Sequence, residues 1–144
     1  MISQNHKRVI TVGLYVLEKS LERIEETLTS AQDRERITYE VNDRLNDEVR
    51  NAVLQNIEKM RKIIKDLKDE LKLQLQEEPI ANKIKAEAAH IWQMLCDMRS
   101  GGLDRYGKTA KDLSDFLDPK VEELLEIILR IQYLMEAESN KLER

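Results

Sequence analysis

Apolar residues recur along most of the chain at alternating spacings of three and four positions. This spacing places each series on one face of an α-helix. In chain order the four series are Ile10, Leu14, Leu17, Leu21, Ile24, Leu28 and Ala31; Val53, Ile57, Met60, Ile64, Leu67 and Leu71; Ala81, Ile84, Ala88, Ile91, Leu95 and Met98; and Val121, Leu124, Ile128, Ile131 and Met135, with Leu142 after a gap at Glu138. The pattern predicts an all-α fold, an antiparallel four-helix bundle that forms one domain over residues 1–144.

Capping residues and helix breakers set the predicted boundaries of the first three helices. We expect helices over residues 4–32, 47–77 and 80–99. Asn46 suits the N-cap of the second helix, because its side-chain oxygen can accept a hydrogen bond from a free backbone amide. Pro79 is tolerated only near a helix start, so the second helix must end before it and the third must begin there.

The passage from the third helix to the fourth contains several turn signals. Gly101 and Gly102 fit a left-handed turn at the end of the third helix. Asp118 and Pro119 suit the N-cap and first position of a fourth helix over residues 119–142. A short extra helix over about residues 109–117 is predicted before this last helix.

Residues 33–45 connect the first two predicted helices. Ile37, Thr38, Tyr39 and Val41 are weak helix formers that favour an extended path. The segment is therefore either a crossover strap or a continuation of helix, and the sequence leaves both interpretations open.

Composition limits the classes of protein to which the chain can belong. The 24 basic and 28 acidic residues are mixed along the chain and give a net charge of −4, so no basic domain for nucleic acid stands out. Cys96 is the only cysteine, which favours a reducing cytoplasm. No apolar run approaches the roughly 20 residues of a membrane span. We expect a cytoplasmic protein without membrane contact.

One string resembles the phosphate-binding loop of nucleotide-binding proteins. Gly102, Gly107, Lys108 and Thr109 fit G-x-x-x-x-G-K-T, in which backbone amides, a lysine and a hydroxyl hold phosphate and magnesium. That loop normally follows a buried β-strand, whereas the residues before Gly102 are in helical register. Nucleotide binding by residues 102–109 is therefore only a remote alternative.

The histidines and the cysteine do not form a recognisable catalytic or metal set. Glu87 and His90 have E-x-x-H spacing, but a di-iron site needs a second such motif and further core glutamates. His90 and Cys96 are six positions apart on one helix and cannot reach each other. We therefore predict a non-enzymatic protein with no catalytic residues, no metal and no cofactor.

A row of basic residues lies along one flank of the second helix. Its members are Arg61, Lys65, Lys68 and Lys72. One interpretation of the row is contact with an anionic ligand, as in a nucleic-acid-associated accessory protein. Acidic residues interleaved with the row favour a structural interpretation instead. The structural interpretation is a solvated flank that faces an acidic neighbour. For that role we expect Glu122, Glu123 and Glu126 of the fourth helix.

Two helices carry more apolar surface than one bundle core requires. In the fourth helix the apolar arc covers roughly 220°, and Ile127, Leu129 and Leu134 lie outside the narrow stripe. In the first helix Val12, Tyr15 and Val16 do the same. A second copy of the chain could cover these residues, and so could the strap or residues 100–117.

The sequence therefore favours an interaction or scaffolding protein that self-associates as a homodimer. Its candidate self-association residues are Val12, Tyr15, Val16, Ile127, Leu129 and Leu134. Another protein is a further candidate partner. For that contact, the loop with Leu103, Arg105 and Tyr106 is the predicted surface, because function concentrates on ordered loops of helical scaffolds.

Overall fold

A computed structural model describes residues 2–30 and 34–142. Its helices are α1 (Gln4–Ser30), α2 (Asp47–Glu70), α3 (Ile80–Met98), α4 (Ser100–Leu103) and α5 (Lys111–Leu142), with a 3₁₀ turn at Asp104–Tyr106. The described residues contain no β-strand. The all-α prediction is thus confirmed. Ala31, the predicted end of the first helix and the side chain of Leu142 lie outside the described part.

The chain divides into two compact units between Leu75 and Gln76. In the first unit α1 packs against α2, and in the second α3 packs against α5, with α4 contacting both. This packing of helix on helix is compatible with a bundle. The single domain over residues 1–144 stays a prediction.

The first unit is centred on Leu21 of α1 and Ile57 of α2, which are both buried. Both belong to the apolar stripes that the sequence predicts. Asn46 caps α2 as expected, because its side-chain oxygen accepts a hydrogen bond from the Glu48 amide at 2.7 Å. Asp47 and Glu48 occupy the first turn, where the helix dipole favours acidic side chains.

Helix α2 ends at Glu70, whereas the sequence predicts an end at residue 77. Lys72 takes a left-handed backbone conformation with φ of 54°. The Leu73 amide donates to the Lys68 carbonyl at 2.9 Å and the Lys72 amide donates to Asp69 at 3.3 Å, which is a Schellman ending. The apolar stripe stops at Leu71, so packing no longer stabilises a further helical turn.

Residues 34–46 form neither helix nor strand. Ile37 is fully exposed, so this weak helix former contributes nothing to the core. The segment is attached to α2 through Arg50, whose guanidinium donates to the Asp43 carboxylate and to the Leu28 carbonyl. The hydrogen bond from Arg50 lowers the pKa of Asp43. The described residues thus decide against a helical continuation, while Asp33 lies outside them.

The second unit has a continuous core between α3 and α5. Its buried members are Ala88, Leu95, Val121, Leu125 and Ile128. The ion pairs Lys85–Glu136 (3.2 Å) and Arg99–Glu122 (3.1 Å) lie at the two ends of this core. They place the start of α3 beside the later part of α5, and the end of α3 beside its earlier part.

Helix α5 runs without interruption through Pro119, so the predicted short helix and the fourth helix are one element. Proline removes one backbone hydrogen bond, but its φ is compatible with helix. Leu117 and Val121 contact the same core on either side of Pro119, so a continuous helix keeps both in place. Asp118 is therefore not an N-cap of this helix, and it accepts hydrogen bonds from the Ser100 amide (2.9 Å) and hydroxyl (2.7 Å).

Gly101 and Gly102 do not form the predicted left-handed turn, because both lie in α4 with negative φ. The left-handed glycine is Gly107, with φ of 134°. Gly102 instead permits a close approach. A Cβ at this position would lie 2.3 Å from the carbonyl oxygen of Asp97.

Candidate functional site

The outer side of α5 carries an exposed apolar stripe beside the buried core. Leu124, Ile127, Ile131 and Leu134 follow one another at spacings of three and four residues, and we name them the α5 seam. All four are exposed, with exposed fractions between 36% and 54%. At 100° per residue they lie within an arc of about 80°, centred roughly 110° from the buried stripe.

Helix α3 extends this apolar surface on the side of the seam that faces it. A groove of about 390 Å³ is lined by Ile80, Ile84, Ala88 and Ile91 of α3 and by Ile128 and Ile131 of α5, together with Lys83 and Glu87. Ile131 belongs to both the groove and the α5 seam, so the two form one continuous apolar face. Met94 and Met98, also on α3, are exposed as well.

The structure separates the three self-association residues that the sequence proposes on the last helix. Ile127 and Leu134 belong to the α5 seam, whereas Leu129 is exposed on the other flank, about 180° around the helix from the centre of the seam. Leu124 and Ile131 complete the seam, although the sequence assigns them to the core. Leu125, which the sequence does not select, is buried in place of Leu124.

The three self-association residues proposed on α1 are also exposed. Val12, Tyr15 and Val16 point away from the face that carries buried Leu21, and they spread over about 100° of the helix. The Lys19 ammonium lies 4.8 Å from the centre of the Tyr15 ring, which is a cation–π contact. Self-association through these three residues of α1 stays a prediction.

The loop proposed as a partner surface is held by its own hydrogen bonds. Arg105 forms an ion pair with Asp97 at 3.1 Å, and Leu103 is half-buried. Tyr106 is 88% exposed, and the Arg105 side chain is exposed as well.

The glycine-rich string uses its polar groups internally. The Thr109 amide donates to Asp104 at 2.9 Å and the Thr109 hydroxyl donates to the Ser100 carbonyl at 3.2 Å. These are the groups that a phosphate-binding loop would direct at its ligand. The hydrogen bonds from Thr109 lower the pKa of Asp104, so a carboxylate charge is maintained inside the loop.

The members of the basic row of α2 differ in their ion pairs and in their exposure. Arg61 forms ion pairs with Glu25 of α1 and with Glu58, and the hydrogen bond to Glu25 is the main cause that raises the pKa of Arg61. Lys68 is half-buried, while Lys65 and Lys72 are exposed.

Within the first unit, α1 supplies an acidic neighbour of the row, and the prediction of the last helix for that role stays a prediction. Glu25 supplies the carboxylate that pairs with Arg61. Glu122 pairs with Arg99 at 3.1 Å, and Glu123 pairs with Lys120 at 3.5 Å. The solvated-flank interpretation of the row expects an acidic partner, and Glu25 of α1 is one such partner for Arg61.

The side chains of α3 that could bind a metal or act as nucleophiles lie apart from one another. Glu87 and His90 are exposed, and half-buried Cys96 accepts a hydrogen bond from Arg99 at 3.4 Å. Across residues 2–30 and 34–142, no three or more histidine, cysteine, aspartate or glutamate side chains gather where they could hold a metal ion. The apolar face of α3 and α5 joins exposed residues of two packed helices and is the candidate functional surface.

Comparison of the chain with family models, with curated proteins and with solved structures finds no match. Among the described residues, no helix combines the length and apolar character needed to cross a membrane. The interpretation of the candidate surface therefore depends on the residues of this chain.

Proposed function

We propose that the protein is a non-enzymatic cytoplasmic interaction or scaffolding module that self-associates as a homodimer through the apolar face of α3 and α5. The observation that carries the proposal is the continuity between the α5 seam and the groove lined by both helices. Isolated exposed apolar side chains are ordinary, but a contiguous apolar face marks an interaction surface.

The energy available from this face supports association. Full burial of a large aliphatic side chain contributes about 1.5–3 kcal/mol, and the four seam residues are already about half buried. Burying the remainder yields roughly 3–6 kcal/mol per chain, and the groove residues add to it. The roughly 6–12 kcal/mol from two copies is of the same order as the association cost of about 4–15 kcal/mol.

A matched pair of substitutions on α5 tests the proposal. Ile127 and Leu129 are similar in size and nearly equal in exposure, but only Ile127 belongs to the seam. We expect the unaltered protein to be a dimer at tens of micromolar by light scattering on a gel-filtration column. Ile127→Glu should give a monomer, because burial of an unpaired carboxylate is unfavourable, and Leu129→Glu should remain dimeric.

Two outcomes would contradict the proposal. One is an unaltered protein that stays monomeric throughout this concentration range. The other is a dimer that both substitutions weaken equally, since that result would place the contact elsewhere on the chain. Far-ultraviolet circular dichroism should show the same helix content in all three proteins.

The nucleic-acid-associated accessory protein remains the alternative function. Lys59, Lys62 and Lys65 are exposed near Arg61 on α2, which favours contact with an anion. Arg61 is already paired with two carboxylates and the net charge is negative, so this surface supports the alternative less strongly than the apolar face supports self-association.

A further inference from the structure

We propose that two copies pair through α5 in opposite directions, so that Lys120 of each copy lies beside Glu138 of the other. This inference rests on the proposed self-association and specifies its orientation and register. The charges at the two ends of the α5 seam are the reason for choosing a second copy of the chain as the partner that covers it.

A lysine lies beyond one end of the α5 seam and a glutamate lies beyond the other end. Lys120 precedes Leu124 by four positions, and Glu138 follows Leu134 by four positions. Both therefore lie on the same side of α5 as the seam. Their side chains are exposed, and each forms an ion pair within its own helix, Lys120 with Glu123 at 3.5 Å and Glu138 with Lys141 at 3.3 Å.

The spacing of the six positions is symmetrical about a single point. The pairs Leu124 with Leu134, Ile127 with Ile131, and Lys120 with Glu138 all have their midpoint at position 129. A two-fold axis at this level matches every seam residue with an apolar partner from the other copy. The same axis matches each terminal charge with the opposite charge, over a length of about 27 Å of helix.

Parallel pairing lacks this complementarity. It would place Lys120 against the Lys120 of the second copy and Glu138 against its Glu138, and like charges across an interface disfavour that register. The reversed arrangement is also a closed two-fold interface, which stops at a dimer rather than extending into a filament.

The flanks of the seam agree with this arrangement. On one side it borders the groove that α3 shares, where Ile84 and Ile91 can widen the apolar contact and Lys83 and Glu87 supply one charge of each sign. On the other side Arg130 lies near the proposed axis, and Glu123 and Glu126 share its flank. The positive charge nearest the axis therefore has acidic neighbours.

Reversal of the two terminal charges tests the orientation. Lys120→Glu and Glu138→Lys should each raise the dimer Kd about five- to tenfold, because each creates two like-charge contacts in the reversed dimer. The double variant should return to within about twofold of the unaltered protein. An equimolar mixture of the two single variants should also associate as tightly as the unaltered protein. Lys62→Glu, an exposed change of equal charge on α2, serves as the control and should leave the Kd unchanged.

The outcomes separate this inference from the proposed function. If the unaltered protein is monomeric, both are overturned. If Ile127→Glu abolishes the dimer but neither charge reversal changes its Kd, the apolar contact stands and the reversed pairing is overturned.

A cross-link supplies an independent measurement of the same orientation. In a Cys96→Ala background, a mixture of Lys120→Cys and Glu138→Cys chains should form a mixed disulfide on mild oxidation. A disulfide between two Lys120→Cys chains in preference to the mixed product would indicate parallel pairing and overturn the inference.

Discussion

Gly102 shows how one missing methyl group permits the turn after α3. A Cβ on Gly102 would lie 2.3 Å from the Asp97 carbonyl oxygen, closer than real Cβ atoms approach an oxygen. The neighbouring Gly101 has open space around it, with no heavy atom within 4 Å of its Cβ position. Both glycines are helical, so only the steric environment distinguishes them.

This difference predicts opposite responses to alanine. Gly102→Ala should lower the free energy of unfolding by about 1–3 kcal/mol, because the α3–α4 backbone must move to accept the methyl group. Gly101→Ala should be neutral or stabilising by up to about 1 kcal/mol, because alanine restricts the unfolded chain more than glycine. Urea denaturation followed by circular dichroism measures both. Equal effects of the two substitutions would contradict the close contact at Gly102.

The sequence indicates that the Asp118 carboxylate accepts a hydrogen bond from a backbone amide, but the fold decides which amide donates it. A carboxylate before proline suits a helix cap, because it accepts hydrogen bonds from free amides. In the structure the Asp118 carboxylate does accept an amide, but the amide is that of Ser100 at the start of α4. These hydrogen bonds from Ser100 are the main cause of the lowered pKa of Asp118.

At the scale of elements, the end of α2 depends on an unfavourable backbone conformation. Lys72 has φ of 54°, a region that glycine adopts at no steric cost and that other residues rarely adopt. The Schellman hydrogen bonds to Lys68 and Asp69 compensate for this strain. Because glycine is the usual residue at this position, the lysine gives no sequence signal that the helix ends here.

Substitution by glycine should therefore stabilise the first unit. We expect Lys72→Gly to raise the free energy of unfolding by about 0.5–1 kcal/mol. This gain is the backbone strain that glycine relieves, reduced by the entropic cost of ordering a glycine that is more flexible in the unfolded chain. Lys72→Ala removes the same charge but keeps a Cβ, so it should change the stability little. If both variants respond alike in urea denaturation, charge rather than backbone strain is responsible.

Helix α5 contains two apolar stripes that a single spacing rule cannot separate. Val121 is followed by Leu124 at a spacing of three and by Leu125 at a spacing of four, and both spacings are helical. The structure buries Leu125 and exposes Leu124. Packing against α3 decides between them, since a helix turn of 3.6 residues allows either sequence of spacings.

At the scale of the whole molecule, self-association connects stability to concentration. A dimer that dissociates as it unfolds gains about 1.4 kcal/mol for each tenfold rise in concentration. We expect the thermal midpoint to rise roughly 2–4 °C per tenfold rise in protein concentration. Ile127→Glu should abolish this dependence, whereas Leu129→Glu should retain it. Midpoints of the unaltered protein that do not depend on concentration would contradict a dimer coupled to folding.

The candidate surface could be located from the sequence only in part. The excess apolar arc of the last helix is visible in the sequence, and it identifies Ile127 and Leu134 correctly as residues outside the core. The heptad spacing places the other half of the seam, Leu124 and Ile131, in the interior. The contribution of α3 could not be foreseen, because it arises from the pairing of two helices far apart in the chain.

The sequence by itself determined the local features of this protein. The spacing of apolar residues established the helices, and Asn46 established the start of α2, because both act within a few residues along the chain. The tertiary structure alone decided which leucine of α5 is buried, that α5 continues through Pro119, and that Arg61 pairs with Glu25. Each of these outcomes depends on which surface is packed against the helix, and a local pattern does not contain that information.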